Sequence, residues 1–466
     1  MLANGGMYNV LKQPGYGIDA IEFYYPRNYV DQKDLEKYNQ VSEGKHTIGL
    51  GQTEMGFCAD NEDIVSISLT VTRNLLKNYQ ISTDSIGCLV VGTETLIDKS
   101  KSVKTSLMDL FGENTNIEGV DIKNACFGGA QALLHGLDWV AVNYPVENKL
   151  AIVVVADIAV YEDGPARCTG GAGAMAFLIK PDAAIIIDRQ LTACHMKNSW
   201  DFYKPIGANV SEYPVVDGSL SLSSYMEAVK KSYLNYASKI RRLTHKNVKL
   251  DECDAIFLHS PFSKMVQKGL AVMYHTERMM NVHEINEDQA DENDRAALAK
   301  MVKESFDLWH SKTDPYLIFN RRIGNMYTPS LFAQLLAFLA SDNCTSDKDH
   351  KILFFAYGSG FSSAIFPGRV RATESLHKLR ETAQDAVARL ESRKQFTAEE
   401  FTEILKMRER FLHTTVPAEP EALSRMDDEI KLFPNTFYLE KLDAKYRRTY
   451  ALYEDIEQLN GNGVYH

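Results

Sequence analysis

The chain has 466 residues, 45% of them hydrophobic and 24% charged, with a formal net charge of −11. That is the composition of a globular protein with enough chain for two or three cores, and it excludes nucleic acid as a bulk partner, because no basic surplus exists to neutralise phosphates. No run of about 18 apolar residues is present to span a membrane.

The first fifteen residues hold one Lys and no Arg, unlike a signal or transit peptide. The seven cysteines, at 58, 88, 126, 168, 194, 253 and 344, are scattered and form no CxxC spacing. They suit a reducing compartment rather than a disulfide framework or a zinc site. A soluble cytoplasmic protein is expected.

In chain order, an amphipathic helix is expected over 64–76 and short buried strands over 86–91 and 119–122. A helix over 130–142 leads to strands over 150–156 and 174–179. A helix over 222–240 precedes a strand over 255–258, a helix over 296–309 and a strand over 317–319. The pattern closes with a helix over 330–339 and strands over 352–356 and 363–366. Strands alternating with helices predict an α/β architecture with largely parallel sheets. Residues 282–296 are acidic and read as an exposed connector, and 371–411 as charged helices of a surface appendage.

A coarse duplication is visible. Asp84 through Glu94 resembles Asp254 through Ser260, each an Asp, an apolar strand and a polar residue at the strand's end. Lys149 to Asp157 likewise matches Lys351 to Gly360, and each is followed by a Gly-rich hairpin. Two related halves with a site between them are expected.

Cys126, in Asn124-Ala125-Cys126-Phe127-Gly128-Gly129, sits where a strand turns into a helix. Unpaired N–H groups at a helix start favour a thiolate, the nucleophilic form, and Gly128 and Gly129 are expected to leave room for an acyl donor. Alone, the residue reads more readily as a buried structural cysteine. Glu94 lies just beyond a buried strand, at the sheet end where ligands bind in α/β folds, and suits proton abstraction. A surface or helix-capping Glu is its alternative. His259 follows Ile256-Phe257-Leu258 at the place Glu94 holds in the first repeat, against the alternative of a structural histidine.

Gly-rich turns at Thr169-Gly170-Gly171, Gly324-Asn325-Met326-Tyr327 and Tyr357-Gly358-Ser359-Gly360 could present N–H groups to a carbonyl, or be ordinary turns. Lys264 and Lys268, four apart on one helical face, suit a phosphorylated ligand or a solvated surface. No paired-His or HExxH spacing supports a metal.

Together these residues resemble the eukaryotic 3-hydroxy-3-methylglutaryl-CoA synthases, from about Gly17 to Tyr450. The resemblance is carried by Thr47-Ile48-Gly49-Leu50-Gly51-Gln52, Val91 through Thr105, Asn124-Ala125-Cys126 and Asp157 through Tyr161. It continues in Asp201-Phe202-Tyr203-Lys204-Pro205, Ser211-Glu212-Tyr213-Pro214, His259-Ser260-Pro261 and Gly324-Asn325-Met326-Tyr327. It implies a thiolase-like α/β fold of two pseudo-equivalent mixed-sheet halves in an α-β-α-β-α layering. The halves would span 17–180 and 181–370, with a C-terminal helical appendage and return segment over 371–466.

It also implies a homodimer of the mevalonate pathway, acting in isoprenoid and sterol synthesis. The enzyme would condense acetyl-CoA with acetoacetyl-CoA and water to give HMG-CoA and CoA, with no cofactor or metal. Cys126 would carry the acetyl group, Glu94 would deprotonate its methyl, and His259 would position the second substrate. Thr169, Ser221, Lys264, Lys268, Asn325 and Ser359 would contact substrate or CoA, while Asp157, Asp201 and Tyr327 would orient the site. The resemblance departs at Pro165, Cys168 and Asn320-Arg321-Arg322-Ile323, which bears on CoA contacts. Two rivals remain: a β-ketoacyl synthase, which would not need Glu94, and a catalytically silent CoA-binding relative.

Overall fold

A computed structural model describes residues 15–205, 212–281, 294–426 and 431–454. All but the last three residues of the acidic connector expected over 282–296 lie outside the described residues, as does Ser211.

The apolar runs form strands because β-branched residues buried on both faces satisfy their backbone only in a ladder. The first half holds β1 (Tyr16–Tyr24), β2 (Ile86–Gly92), β3 (Leu150–Ala159) and β4 (Gly171–Pro181). In that half β2 pairs parallel with β3, β3 antiparallel with β4, and β4 antiparallel with β1. After the short β5 (Ile185–Ile187), the second half holds β6 (Ala193–Met196), β7 (Ala255–Leu258), β8 (His350–Gly358) and β9 (Ser362–Val370).

There β7 pairs parallel with β8, β8 antiparallel with β9, and β9 antiparallel with β6. The same pairing pattern therefore occurs twice. Strand β5 pairs with both β1 and β9 and joins the two sets into one ten-stranded sheet. The joint is close: a Cβ on Gly17 would fall 1.8 Å from the Ile185 carbonyl oxygen.

Helix α1 (Ile64–Asn78) starts at Asp63, whose side chain accepts from the Val65 and Ser66 N–H groups. Helix α2 (Gly128–Glu147) packs on β2 and β3, and α3 (Gly218–Thr244) packs on α4 (Ser263–Asn281). In α5 (Phe332–Ala340) every residue from Phe332 to Leu339 is buried, as a helix apolar but for Gln334 requires, and the Gln334 amide donates to the Leu258 carbonyl at 2.6 Å. Among the described residues no helix is long and apolar enough to cross a membrane.

Four expectations fail. The sheet is not largely parallel but mixed, with six antiparallel pairings against three parallel ones among the described residues, because continuous apolar runs mark burial and not strand direction. Residues 317–319 are not a strand but open the helix Ile318–Ile323, because so short an apolar run cannot reveal its period. The helix expected over 296–309 is two, Arg295–Glu304 and Phe306–Lys312, parted at Ser305. The described part of the supposed appendage, 371–466, is built into the body.

Helix α6 (Glu374–Arg389) buries Leu376, Leu379, Ala383 and Ala386, and Lys394–Phe396 pairs parallel with Asn28–Asp31. Helix α7 (Ala398–Leu412) buries Phe401, Ile404 and Leu405. From the closing hairpin, Arg448 and Tyr450 donate to Asp63 Oδ2 at 2.8 and 2.9 Å. Charged wet faces hid these narrow Leu/Ala stripes.

The strongest tie is Arg408 on α7, which is buried. It makes a bidentate pair with Glu212 at 2.7 Å and donates to the Ala59 and Glu62 carbonyls. Arg408→Met leaves the Glu212 carboxylate uncompensated, and breaking such a pair costs about 3–5 kcal/mol. Urea unfolding is expected to show that loss as a lower midpoint at unchanged slope.

Candidate active site

Cys126 precedes α2 with φ +41°, in the left-handed region that non-glycine residues seldom occupy. The turn is pressed from the second half: a Cβ on Gly358, the last residue of β8, would lie 1.6 Å from the Ala125 carbonyl oxygen. Gly128 and Gly129 serve packing rather than substrate access. A Cβ on Gly129 would meet Thr328 at 2.9 Å, and one on Gly92 would meet the Gly128 carbonyl at 2.7 Å. The thiolate expectation also fails. Burial first, then Glu94 and Asp157, push the Cys126 thiol well above its ordinary range, outweighing the helix start.

Glu94 stands two residues beyond β2. Its Oε2 accepts from the Cys126 N–H at 2.6 Å, and its Oε1 forms an ion pair with Lys204 Nζ at 3.0 Å. Asp157, fully buried near the end of β3, sets this arrangement. Its Oδ1 accepts from the Thr93 hydroxyl (2.8 Å), the Glu94 N–H (2.8 Å), and the Thr95 N–H and hydroxyl (3.0 and 2.9 Å). Its Oδ2 accepts from the Thr328 N–H and hydroxyl at 3.1 and 2.5 Å. Burial and then the Glu94 charge push Asp157 up to about 6.

Thr328 ends the turn that carries Asn325 and Tyr327. Asn325 Oδ1 accepts from the Tyr327 N–H (2.9 Å) and the Ser330 hydroxyl (3.1 Å), which fixes the amide. Tyr327, with φ +53° and no exposure, packs its ring edge-on to Tyr161 and Phe202. Lys204 Nζ sits 4.6 Å from the Tyr327 ring centre.

His259 follows β7 directly and is buried, and desolvation alone brings it down to about 3, so its imidazole is neutral at physiological pH. Its ring stacks at 6.4 Å on Tyr357, whose hydroxyl donates to Asp201 Oδ2 at 3.0 Å. Asp201 Oδ1 accepts from the Gly360 N–H at 3.0 Å, which holds the turn containing Ser359.

Both comparisons with known sequences point the same way. Residues 13–184 match the family model "Hydroxymethylglutaryl-coenzyme A synthase N terminal", and residues 185–453 match its C-terminal counterpart. The chain belongs to the hydroxymethylglutaryl-CoA synthase family. It is 64% identical to the hydroxymethylglutaryl-CoA synthase of Caenorhabditis elegans, over 97% of each chain. It is 42% identical to the mitochondrial enzyme of Homo sapiens, over 93% of this chain and 89% of the other.

A solved structure of MvaS in complex with 3-hydroxy-3-methylglutaryl coenzyme A superposes with a TM-score of 0.81 at 27% identity. It covers 95% of this chain and all of its own. The repeated mixed sheet is thus the thiolase-like α/β fold.

Glu94, Cys126, Asp157 and the segment from Asn325 to Thr328 converge directly, while His259 stacks on Tyr357, which bonds Asp201. Two expected ligand contacts have their hydroxyls engaged internally. Thr169 donates to the Ala166 carbonyl at 2.6 Å and Ser221 to the Asp201 carbonyl at 3.0 Å. Lys264 and Lys268 stand apart on the first two turns of α4. Lys264 donates to Gln267 at 3.0 Å, and burial, Arg295 and Lys264 lower Lys268.

The departures are structural. Arg321 pairs with Asp314 and Arg322 with Glu54 and Glu391, while the Pro165 carbonyl accepts from the Cys168 thiol at 3.4 Å. Lys204, Thr93, Thr95, Thr328 and Tyr357 escaped the motif reading. Only Lys204 gave a signal, as a lone cation in an Asp-aromatic-aromatic-Lys-Pro run.

The raised Asp157 has a stability consequence of definite sign. Its folded form holds a proton that the unfolded chain has already released, so its contribution is present at pH 4 and lost as pH rises through about 6. Asp157→Asn lacks that slope. Denaturation of both proteins at pH 4.5 and 7.5 is expected to favour the variant, relative to wild type, at the higher pH.

Proposed function

We propose that this chain is a hydroxymethylglutaryl-CoA synthase in which Cys126, Glu94 and His259 carry the chemistry. The observation that supports this most is the Glu94 carboxylate held within 2.6 Å of the Cys126 backbone nitrogen. A base so placed reaches the methyl group of an acetyl carried on that cysteine.

In the first step the Cys126 sulfur attacks acetyl-CoA, forming the acetyl thioester and releasing CoA with the thiol proton. Glu94 then removes a methyl proton, and the carbanion equivalent adds to the ketone carbon of acetoacetyl-CoA. The resulting alkoxide takes a proton. Water finally cleaves the Cys126 thioester, giving HMG-CoA and the free thiol.

His259, being neutral, acts by hydrogen bonding to the second substrate rather than as a cation. Asn325 and Ser359 would hold acyl carbonyls, and Thr169 and Ser221 would line the substrate path through their remaining hydrogen-bond capacity. Lys264 and Lys268 would meet CoA phosphates. Asp157, Asp201 and Tyr327 would orient these groups, a role supported by the bonds each makes.

The same proposal takes the halves to be 17–180 and 181–370, supported by the repeated strand pairing. It extends to a homodimer in the mevalonate route to isoprenoids and sterols, and to a cytoplasmic location. The scattered free cysteines suit that location. Imaging of the full chain tests it against the mitochondrial location named for the human relative.

Incubation with acetyl-CoA followed by peptide mass spectrometry is expected to show one acetyl group on Cys126, and its absence sinks the mechanism. Glu94→Gln should still acylate but condense about 10²–10⁴-fold more slowly, the usual worth of general-base help. Turnover of malonyl-acyl carrier protein, with none of acetoacetyl-CoA, would favour the β-ketoacyl synthase reading instead.

A further inference from the structure

Lys204 has no assigned part in this chemistry, yet it touches the group proposed as the base. The segment Phe202–Tyr203 pairs antiparallel with Val215–Val216, and strand alternation puts Phe202 and Lys204 on one face. That face meets Tyr327: Phe202 packs edge-on to it at 5.8 Å, and the Lys204 ammonium lies 4.6 Å from its ring centre. A second aromatic ring, Phe202, is 5.8 Å from the same ammonium. An aromatic seat of this kind attracts a cation and fixes its position.

The ammonium is thereby held 3.0 Å from Glu94 Oε1, with side-chain exposures of 21% for Lys204 and 6% for Glu94. The charges gathered there are lopsided. Glu94, Asp157 and Cys126 are all acids, and Lys204 also interacts with the charge of Glu212. Tyr161 and Tyr327 remain neutral phenols, both pushed up by burial. Among the described residues, Lys204 is the cation placed against Glu94.

We propose that Lys204 is a positioning residue for the condensation step, holding the Glu94 carboxylate in place beside Asp157 and Cys126. This rests on the reading of Glu94 as the base. One oxygen of Glu94 is fixed by the Cys126 N–H and the other by Lys204, so the reach of the carboxylate depends on the pair.

The test compares wild type, Lys204→Met, Lys204→Gln and Lys204→Arg in HMG-CoA formation, with acetylation of Cys126 read separately by mass spectrometry. Without the ammonium one oxygen of Glu94 loses its anchor, so the Met and Gln variants should acetylate Cys126 as wild type does yet condense slowly. At neutral pH kcat should fall about 10-fold or more, since a misplaced base gives little general-base help. The Arg variant should restore most of the rate.

A purely structural lysine would lower acetylation and condensation together. That joint loss in whichever neutral variant folds overturns the proposal, as does an Arg variant no better than Gln. Wild-type protein that forms no HMG-CoA would instead refute the underlying reading, so the two failures are distinguishable.

Discussion

The site depends on one buried carboxylate. Asp157 fills both of its oxygens with donors from two separate segments, the Thr93–Thr95 loop of the first half and Thr328 of the second. Only an ionised carboxylate has acceptor capacity for so many N–H and O–H groups at one point, and each donor left unpaired in this interior would cost about 1–3 kcal/mol. Because one of those donors is the Glu94 N–H, the backbone of the proposed base is pinned to the same carboxylate as Thr328, which follows Asn325 and Tyr327. Relative placement across the halves is thus settled by hydrogen bonding, before any substrate is present.

That placement carries an electrostatic tension. Burial holds Cys126 as a thiol and His259 as a neutral imidazole, and it raises Asp157 toward neutrality. Cys126 and His259 thus take the less charged form, as desolvation demands, while Asp157 at about 6 stays ionised at neutral pH. Charge must therefore develop with the reaction, where fixed dipoles and the Lys204 ammonium are already in place to meet it. Preorganised polar groups in a buried site act most strongly on such developing charge. The helix start beside Cys126, which alone would favour thiolate, is the weaker influence here.

Much of this was legible in the sequence, for physical reasons that also explain the gaps. The strands at 86–91, 150–156 and 255–258 were readable because buried parallel strands are continuous apolar runs, and Glu94 and His259 because they directly follow such runs. Leu317–Phe319 misled because three apolar residues carry no period. Gly128 and Gly129 misled because a glycine looks alike whether it faces a ligand or a backbone, and only the closeness of Thr328 and Gly92 decides. Lys204, Thr328 and Tyr357 were hidden because their roles rest on contacts across more than a hundred residues of chain.

The duplicated sheet explains how unlike residues come to one place. Strands β2 and β7 each end in a residue proposed for chemistry. Their parallel partners β3 and β8 end in the Asp157 and Tyr357 groups that receive or give the supporting hydrogen bonds. Since β5 fuses both sets into one sheet, the two ends cannot shift independently, and the Cys126 turn is trapped between them by the bare backbone of Gly358.

The C-terminal segment completes the constraint from outside. Arg408 on α7 holds the Glu212 carboxylate in a bidentate pair, while Asp201 is held separately by Tyr357 and Gly360. The Glu212 charge also acts on Lys204, so a helix that touches no reacting atom bears on the field around the proposed base.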